Sequence, residues 1–171
     1  MNKVAIITGA GQGIGLAIAR KLVENGTQVL LNDREKSLTQ EAVASLSRLK
    51  KGSVIGCSGD AADPEVIAEL VSLALQNFGH IDQLVCNAGI TLFGNFLDYS
   101  RADFMEVTRV NQAGTFFLTQ AVAQVMKTQG KGGAMLFTSS VTAHQSHENL
   151  QLLKISYPSK PERYQNPTNL L

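Results

Sequence analysis

Short apolar runs alternate along this chain with longer stretches in which apolar residues recur at helical spacing. The runs are Val4-Ala5-Ile6-Ile7, Val29-Leu30-Leu31, Ser53 to Cys57, Gln83-Leu84-Val85-Cys86 and Ala134 to Thr138. Runs this short and rich in branched residues read as strands covered on both faces. Between them, Ile14, Ala17, Ile18 and Leu22 give a first helix one apolar face, and Gly26 closes it. Leu38, Ala42, Val43, Leu46 and Leu49 do the same for a second helix over about residues 36–50. Asp63-Pro64 reads as a cap with proline at the first helical position. It opens a third helix that carries Val66, Ile67, Leu70, Val71, Ala74, Leu75 and Phe78 before Gly79. A long fourth helix, about 101–128, has Phe104, Val107, Val110, Gly114, Phe117, Leu118, Ala121 and Val125 on its expected inner side. Five strands alternating with four helices through short connections predict a doubly wound α/β fold, a Rossmann-like parallel sheet.

Between the first strand and the first helix stands Thr8-Gly9-Ala10-Gly11-Gln12-Gly13-Ile14-Gly15. Glycines at alternate positions let the backbone turn tightly and approach a ligand, while the helix start offers unpaired N–H groups and partial positive charge. Strand, glycine turn and helix in that order are the context a dinucleotide pyrophosphate site requires. In such a sheet the ligand lies across the carboxyl ends of the strands, where strand order reverses. Asp33 ends the second strand, 18 residues beyond Gly15. A carboxylate there accepts hydrogen bonds from both ribose hydroxyls and repels a 2′-phosphate, so NAD is favoured. The neighbouring Arg34 could hold that phosphate and keeps NADP as the alternative.

Composition narrows the classes. The 171 residues are 44% apolar and 17% charged, enough for one domain with a substantial core. A net charge of +1 gives no bulk attraction to nucleic acid or an anionic membrane. No apolar run approaches the roughly 18 residues a membrane span needs. The N-terminus enters the first strand directly, without a secretory leader, so a cytoplasmic location is expected. Cys57 and Cys86 sit inside apolar runs and read as core thiols rather than a disulfide. His144, His147 and Glu148 have helix-like spacing, but no further ligand cluster accompanies them, and they read as loop residues; no metal site is expected. Arg48, Lys50 and Lys51 read as a solvated helix end.

The glycine stretch resembles the signature of the short-chain dehydrogenases/reductases. Asn87-Ala88-Gly89 after the fourth strand, Asn111-Gln112-Ala113-Gly114 in the long helix and Ser139-Ser140-Val141 after the fifth strand resemble that family's further motifs, in the same order. The resemblance covers about residues 1–150. It implies an NAD(P)-dependent oxidoreductase moving hydride between the cofactor and a small alcohol or ketone. It assigns Thr8 to Gly15 to the cofactor phosphates and ribose, Asp33 to the adenine ribose, and Asp60 with Ala61 to the adenine. Asn87, Ala88 and Gly89 form the wall beside the cofactor's centre. Asn111 holds a water of the proton relay at a local helix distortion, and Ser140 orients the substrate carbonyl. Thr138 and Ser139 satisfy local backbone groups. The long helix is a candidate subunit contact in a homo-oligomer.

The resemblance stops near residue 150. The family's tyrosine belongs near position 153 and its lysine four residues later, where this chain has Leu153 and Tyr157. Tyr157 and Lys160 are three apart, and each precedes a proline, which disfavours the helical conformation at both. Residues 151–171 hold three of the four prolines and none of the 15 glycines, and they read as an irregular tail. The expectation is a dinucleotide-binding domain over 1–150 in a truncated, catalytically impaired product. The alternative is a non-catalytic NAD-binding domain. The fifth strand is expected at a sheet edge.

Overall fold

The computed structural model describes residues 2–50 and 52–140. Five strands form one parallel sheet in the order β3-β2-β1-β4-β5. They are β1 (Val4–Ile7), β2 (Gln28–Asp33), β3 (Val54–Ser58), β4 (Gln83–Cys86) and β5 (Ala134–Phe137). The helices are α1 (Gly13–Glu24), α2 (Lys36–Ser47), α3 (Pro64–Phe78), α4 (Arg101–Thr108) and α5 (Thr115–Gln129). The doubly wound fold expected from the sequence is the one observed. β1 lies between β2 and β4, so the strand order reverses beside the glycine turn.

The alternation of side chains along each strand builds two cores. Ile6, Leu30, Cys57, Leu84 and Cys86 point to one face, where α3 brings Ile67, Leu70 and Ala74 and α5 brings Leu118, Val122 and Met126. Ile7, Val29, Leu31, Val54 and Val85 point to the other, covered by Ala19 and Val23 of α1 and Ala42 and Leu46 of α2. The start of α3 is as expected: Asp63 Oδ1 accepts the Glu65 N–H at 3.0 Å, and Pro64 needs no partner. Gly79 ends that helix at φ 83°.

Three helices differ in part from expectation. In α1 the buried residues are Gly15, Ala19 and Val23; Ile18 and Leu22 pack against that core as expected, whereas Ile14 is 66% exposed. The helix start is pressed so close to the glycine turn that its inner position admits only glycine, which rotates Ile14 outward. The long helix is interrupted by a π segment, Arg109–Gly114. Its buried residues are Val107, Asn111, Gly114, Leu118, Val122 and Met126, while Phe104, Phe116 and Phe117 are exposed. The helix distortion expected at Asn111 is this segment. Asn111 can face inward because Oδ1 and Nδ2 each bond to the Ile90 backbone there. In α2, Leu49 is likewise exposed, lying beyond the last turn.

β5 pairs only with β4 among the described residues, and its Leu136 and Phe137 are about half exposed, as an edge strand would be. No helix among the described residues is long and apolar enough to cross a membrane, and no group of three or more His, Cys, Asp or Glu there could hold a metal ion. Cys57 and Cys86 are separate buried thiols. His144, His147, Glu148, Leu153, Tyr157, Lys160 and the whole tail lie outside the described residues.

Candidate functional site

The carboxyl ends of β1, β2, β3 and β4 open onto a cleft of about 330 Å³. Gly9 and Gln12 of the glycine turn line it, with Asp33 and Arg34 from the end of β2. Asp60 and Ala61 reach it from the β3–α3 loop, and Asn87, Ala88 and Gly89 from the end of β4. Residues read from separate motifs are thus brought to one cavity.

The glycine turn is held from below by a polar knot. Thr8 Oγ1 accepts the N–H groups of Asn87 and Ala88, both at 3.1 Å. The Asn87 carboxamide donates to Thr8 O at 3.2 Å and to Gly9 O at 3.0 Å. Thr138 Oγ1 donates to Asn87 Oδ1 at 3.2 Å. Thr138 therefore serves a side chain, where the sequence reading expected it to serve local backbone. The β4–β5 pairing brings the two side chains together.

Close packing explains the glycines. A Cβ on Gly15 would lie 2.7 Å from Asn87 Nδ2 and 2.9 Å from Ala10 Cα, so only glycine lets the helix start meet the turn. Gln12 makes no side-chain capping bond, and among the described residues no side chain accepts from the first-turn amides of Gly13, Ile14 and Gly15. Asp33 Oδ2 accepts the Gly11 N–H at 3.0 Å and Oδ1 accepts the Glu35 N–H at 3.1 Å. Arg34 is turned to Glu35, with Nε 3.6 Å from Oε1.

The wall beside Gly89 is fixed by a reciprocal pair. The Ile90 N–H donates to Asn111 Oδ1 at 2.8 Å, and Asn111 Nδ2 donates to Ile90 O at 2.9 Å. Ile90 and Val110 also line the cleft. Ser140 stands three residues beyond the end of β5, partly buried.

The sequence reading missed three contributors. Asn32, inside an apolar strand, donates to Cys57 O at 3.2 Å and Gly59 O at 2.9 Å, and so ties the β3–α3 loop down. A buried polar residue in an apolar run was the available signal. Arg109 reaches Asp60, which lines the cleft, and pairs with Glu106 three residues before it. Burial alone would raise the Asp60 carboxyl, but the Arg109 hydrogen bond and charge, with the Ala62 amide, outweigh it and hold Asp60 below its ordinary value. No sequence spacing marks that pairing. Glu35 is the third, as the partner of Arg34.

The comparisons agree with this geometry. A family model described as short chain dehydrogenase matches residues 3–152. L-rhamnose 1-dehydrogenase (NAD(P)(+)) of Azotobacter vinelandii is 37% identical over 146 residues, covering 84% of this chain and 57% of that protein. Versicolorin reductase 1 of Aspergillus parasiticus is 38% identical over 142 residues, covering 83% and 53%. A solved NAD+-bound xylitol dehydrogenase is 32% identical with a TM-score of 0.85, covering 92% of this chain and 60% of that one. The chain spans a little over half the length of the curated relatives it matches. With its fold and its sequence both matching, the chain belongs to the short-chain dehydrogenase family.

Proposed function

We propose that this chain binds a nicotinamide dinucleotide in the cleft above β1, NAD in preference to NADP, and that the associated reaction is hydride transfer between an alcohol and a ketone. The observation that carries the binding reading is the start of α1: first-turn amides with no side-chain cap, opposite an Asp33 carboxylate 22 residues from the Gly11 amide it accepts. Anions and pyrophosphates are held by such amides and by the helix dipole. The residues fit the group.

Gly11, Gln12, Gly13, Ile14 and Gly15 would meet the phosphates, with Thr8 and Gly9 holding the turn. Asp33 would accept the adenine ribose hydroxyls, and Asp60 and Ala61 would border the base. Asn87, Ala88 and Gly89 would form the central wall. When bound, the nicotinamide supplies a hydride acceptor or donor. Ser140 would orient the substrate oxygen by hydrogen bonding. Asn111 holds the Ile90 backbone and would support the proton path through that position. NAD is favoured because Asp33 carries a charge that repels a 2′-phosphate, and Glu35 engages the Arg34 guanidinium that could otherwise bind one. The family comparison and the cleft support a domain over 1–150. A homo-oligomer through the long helix is part of the same reading.

Calorimetric titration of the folded chain with NAD and NADP tests the proposal. NAD binding with NADP at least about tenfold weaker is expected, and Asp33→Asn should narrow that gap by about tenfold. Absence of binding to a folded chain overturns it. Turnover of small alcohols then separates an active oxidoreductase from a cofactor-binding domain without catalysis.

A further inference from the structure

The segment that leaves the cleft after β4 is closed around one tyrosine and turns large apolar side chains to the outside. Gly89 and Ile90 line the cleft, and the Asn111 carboxamide holds Ile90 through both its backbone groups. Further on, Tyr99 Oη donates to Leu92 O at 2.8 Å and ties the two ends of the loop together. Gly94 lets the chain cross the Tyr99 ring, where a Cβ would lie 2.9 Å from Cδ2. Asn95 Oδ1 accepts the Leu97 N–H at 3.0 Å and starts a single 3-10 turn, Phe96–Asp98. These contacts fix the shape of the loop, yet Phe93 is 73% exposed, Phe96 64% and Leu97 85%.

Three large apolar side chains set outward on one shaped loop mark a surface that is covered in use. Its chemistry and its place narrow the occupant. From Ile90 to Asp98 the sequence holds no cation, and Asp98 is its one charged residue. The loop thus offers no counter-charge to a phosphate group or an anionic membrane. It continues from the cleft through Ile90, on the β4 side of β1, whereas Asp33 stands on the β2 side. Ser140 follows β5, the neighbour of β4, and so belongs to the same side as the loop. We propose that Phe93, Phe96 and Leu97 form an apolar wall of the substrate site, and that the substrate is an uncharged alcohol or ketone on a bulky hydrocarbon frame rather than a polyol or sugar. This rests on the cofactor cleft and the hydride transfer proposed above. A hydrocarbon frame would remove apolar surface on both sides from water, while a polyol would set its hydroxyls against carbon without partners.

The test saturates the full-length chain with NAD and titrates it calorimetrically with 2-decalone and, separately, with the ketose fructose. Both probes are ketones, so the oxidised cofactor cannot reduce either of them. Decalone should bind at least about tenfold more tightly, and Phe93→Ser and Leu97→Ser should each weaken it by about fivefold to tenfold. Leu97→Met should retain the wild-type affinity. Thermal melting and the NAD affinity of each variant are the controls, and neither should move because these side chains are exposed. A folded chain that takes up no NAD overturns the cofactor reading itself. A chain that binds NAD but holds decalone no better than fructose, or equally well after both serine substitutions, overturns the present proposal alone. Two further outcomes would also overturn it by giving the patch another occupant. One is cosedimentation with phosphatidylcholine vesicles that the serine variants lose, and the other is self-association in sedimentation velocity that they abolish.

Discussion

Thr138 donates its hydroxyl hydrogen to Asn87 Oδ1 and so decides which way the Asn87 carboxamide faces. With Oδ1 turned to β5, Nδ2 must face the carbonyls of Thr8 and Gly9. The shape of the glycine turn thus depends on a strand two positions away in the sheet. Thr138→Val should cost about 1 kcal/mol of stability and weaken dinucleotide binding, and Thr138→Ser should retain both. Urea denaturation and calorimetric titration of the two variants check this.

The Asn111–Ile90 pair is a second joint of this kind. Removing it leaves the Ile90 N–H and C=O without partners beside a buried helix. Asn111→Leu should lower stability by about 2 kcal/mol. Hydrogen exchange should show faster opening at Ile90, with β1 unchanged.

The Asp60 ion pair sets an acid dependence. Its folded-state pKa lies below its ordinary value of 3.8, so the stabilisation is present above that value and is lost as pH falls through the folded one. The stability difference between wild type and Arg109→Met should be constant near neutrality and shrink below about pH 4. Arg109 is 41% exposed, so solvent screening keeps the difference to about 1 kcal/mol or less. Urea midpoints measured across the acid range give the curve.

Burial, with Glu69 adding, pushes the Cys57 thiol up to about 11, and burial raises Cys86 as well. Thiolate is the reactive form, and at pH 8 only about a thousandth of Cys57 would be ionised even if reached. Both cysteines should react with a disulfide reagent at least about 100-fold faster in urea than in buffer.

The strands were legible because a parallel sheet buried on both faces demands unbroken apolar runs, and Val4–Ile7 and Gln83–Cys86 fall where the pattern put them. Asp63, Pro64 and Gly79 were legible because caps depend on local chemistry. The inner face of the long helix was legible only in part: Val107, Gly114 and Leu118 are buried as expected, and Phe104 and Phe117 are exposed. Phe117 looked like core, but its position faces outward, and polar Asn111 is inside because Ile90, 21 residues earlier, satisfies it. The glycine turn, Asp33 and Asp60 converge on one cleft as their motifs suggested. The contacts of Arg109 with Asp60, Asn32 with Gly59 and Thr138 with Asn87 escaped notice because the partners are distant in sequence and chosen only by the fold.

The strand order also imposes a timetable on synthesis. β1, β2 and β3 are neighbours made from the first 58 residues, with α1 and α2 to cover one face. The other edge of β1 waits for β4, whose lead-in residue Asp82 accepts the Val4 N–H across 78 positions. At roughly 5–20 residues per second, the chain spends some seconds as a three-stranded sheet whose future central strand is an open edge. During that interval the segment most exposed to mispairing is the one that will carry the glycine turn. The protein is therefore most vulnerable, while being made, at the strand it is later built around.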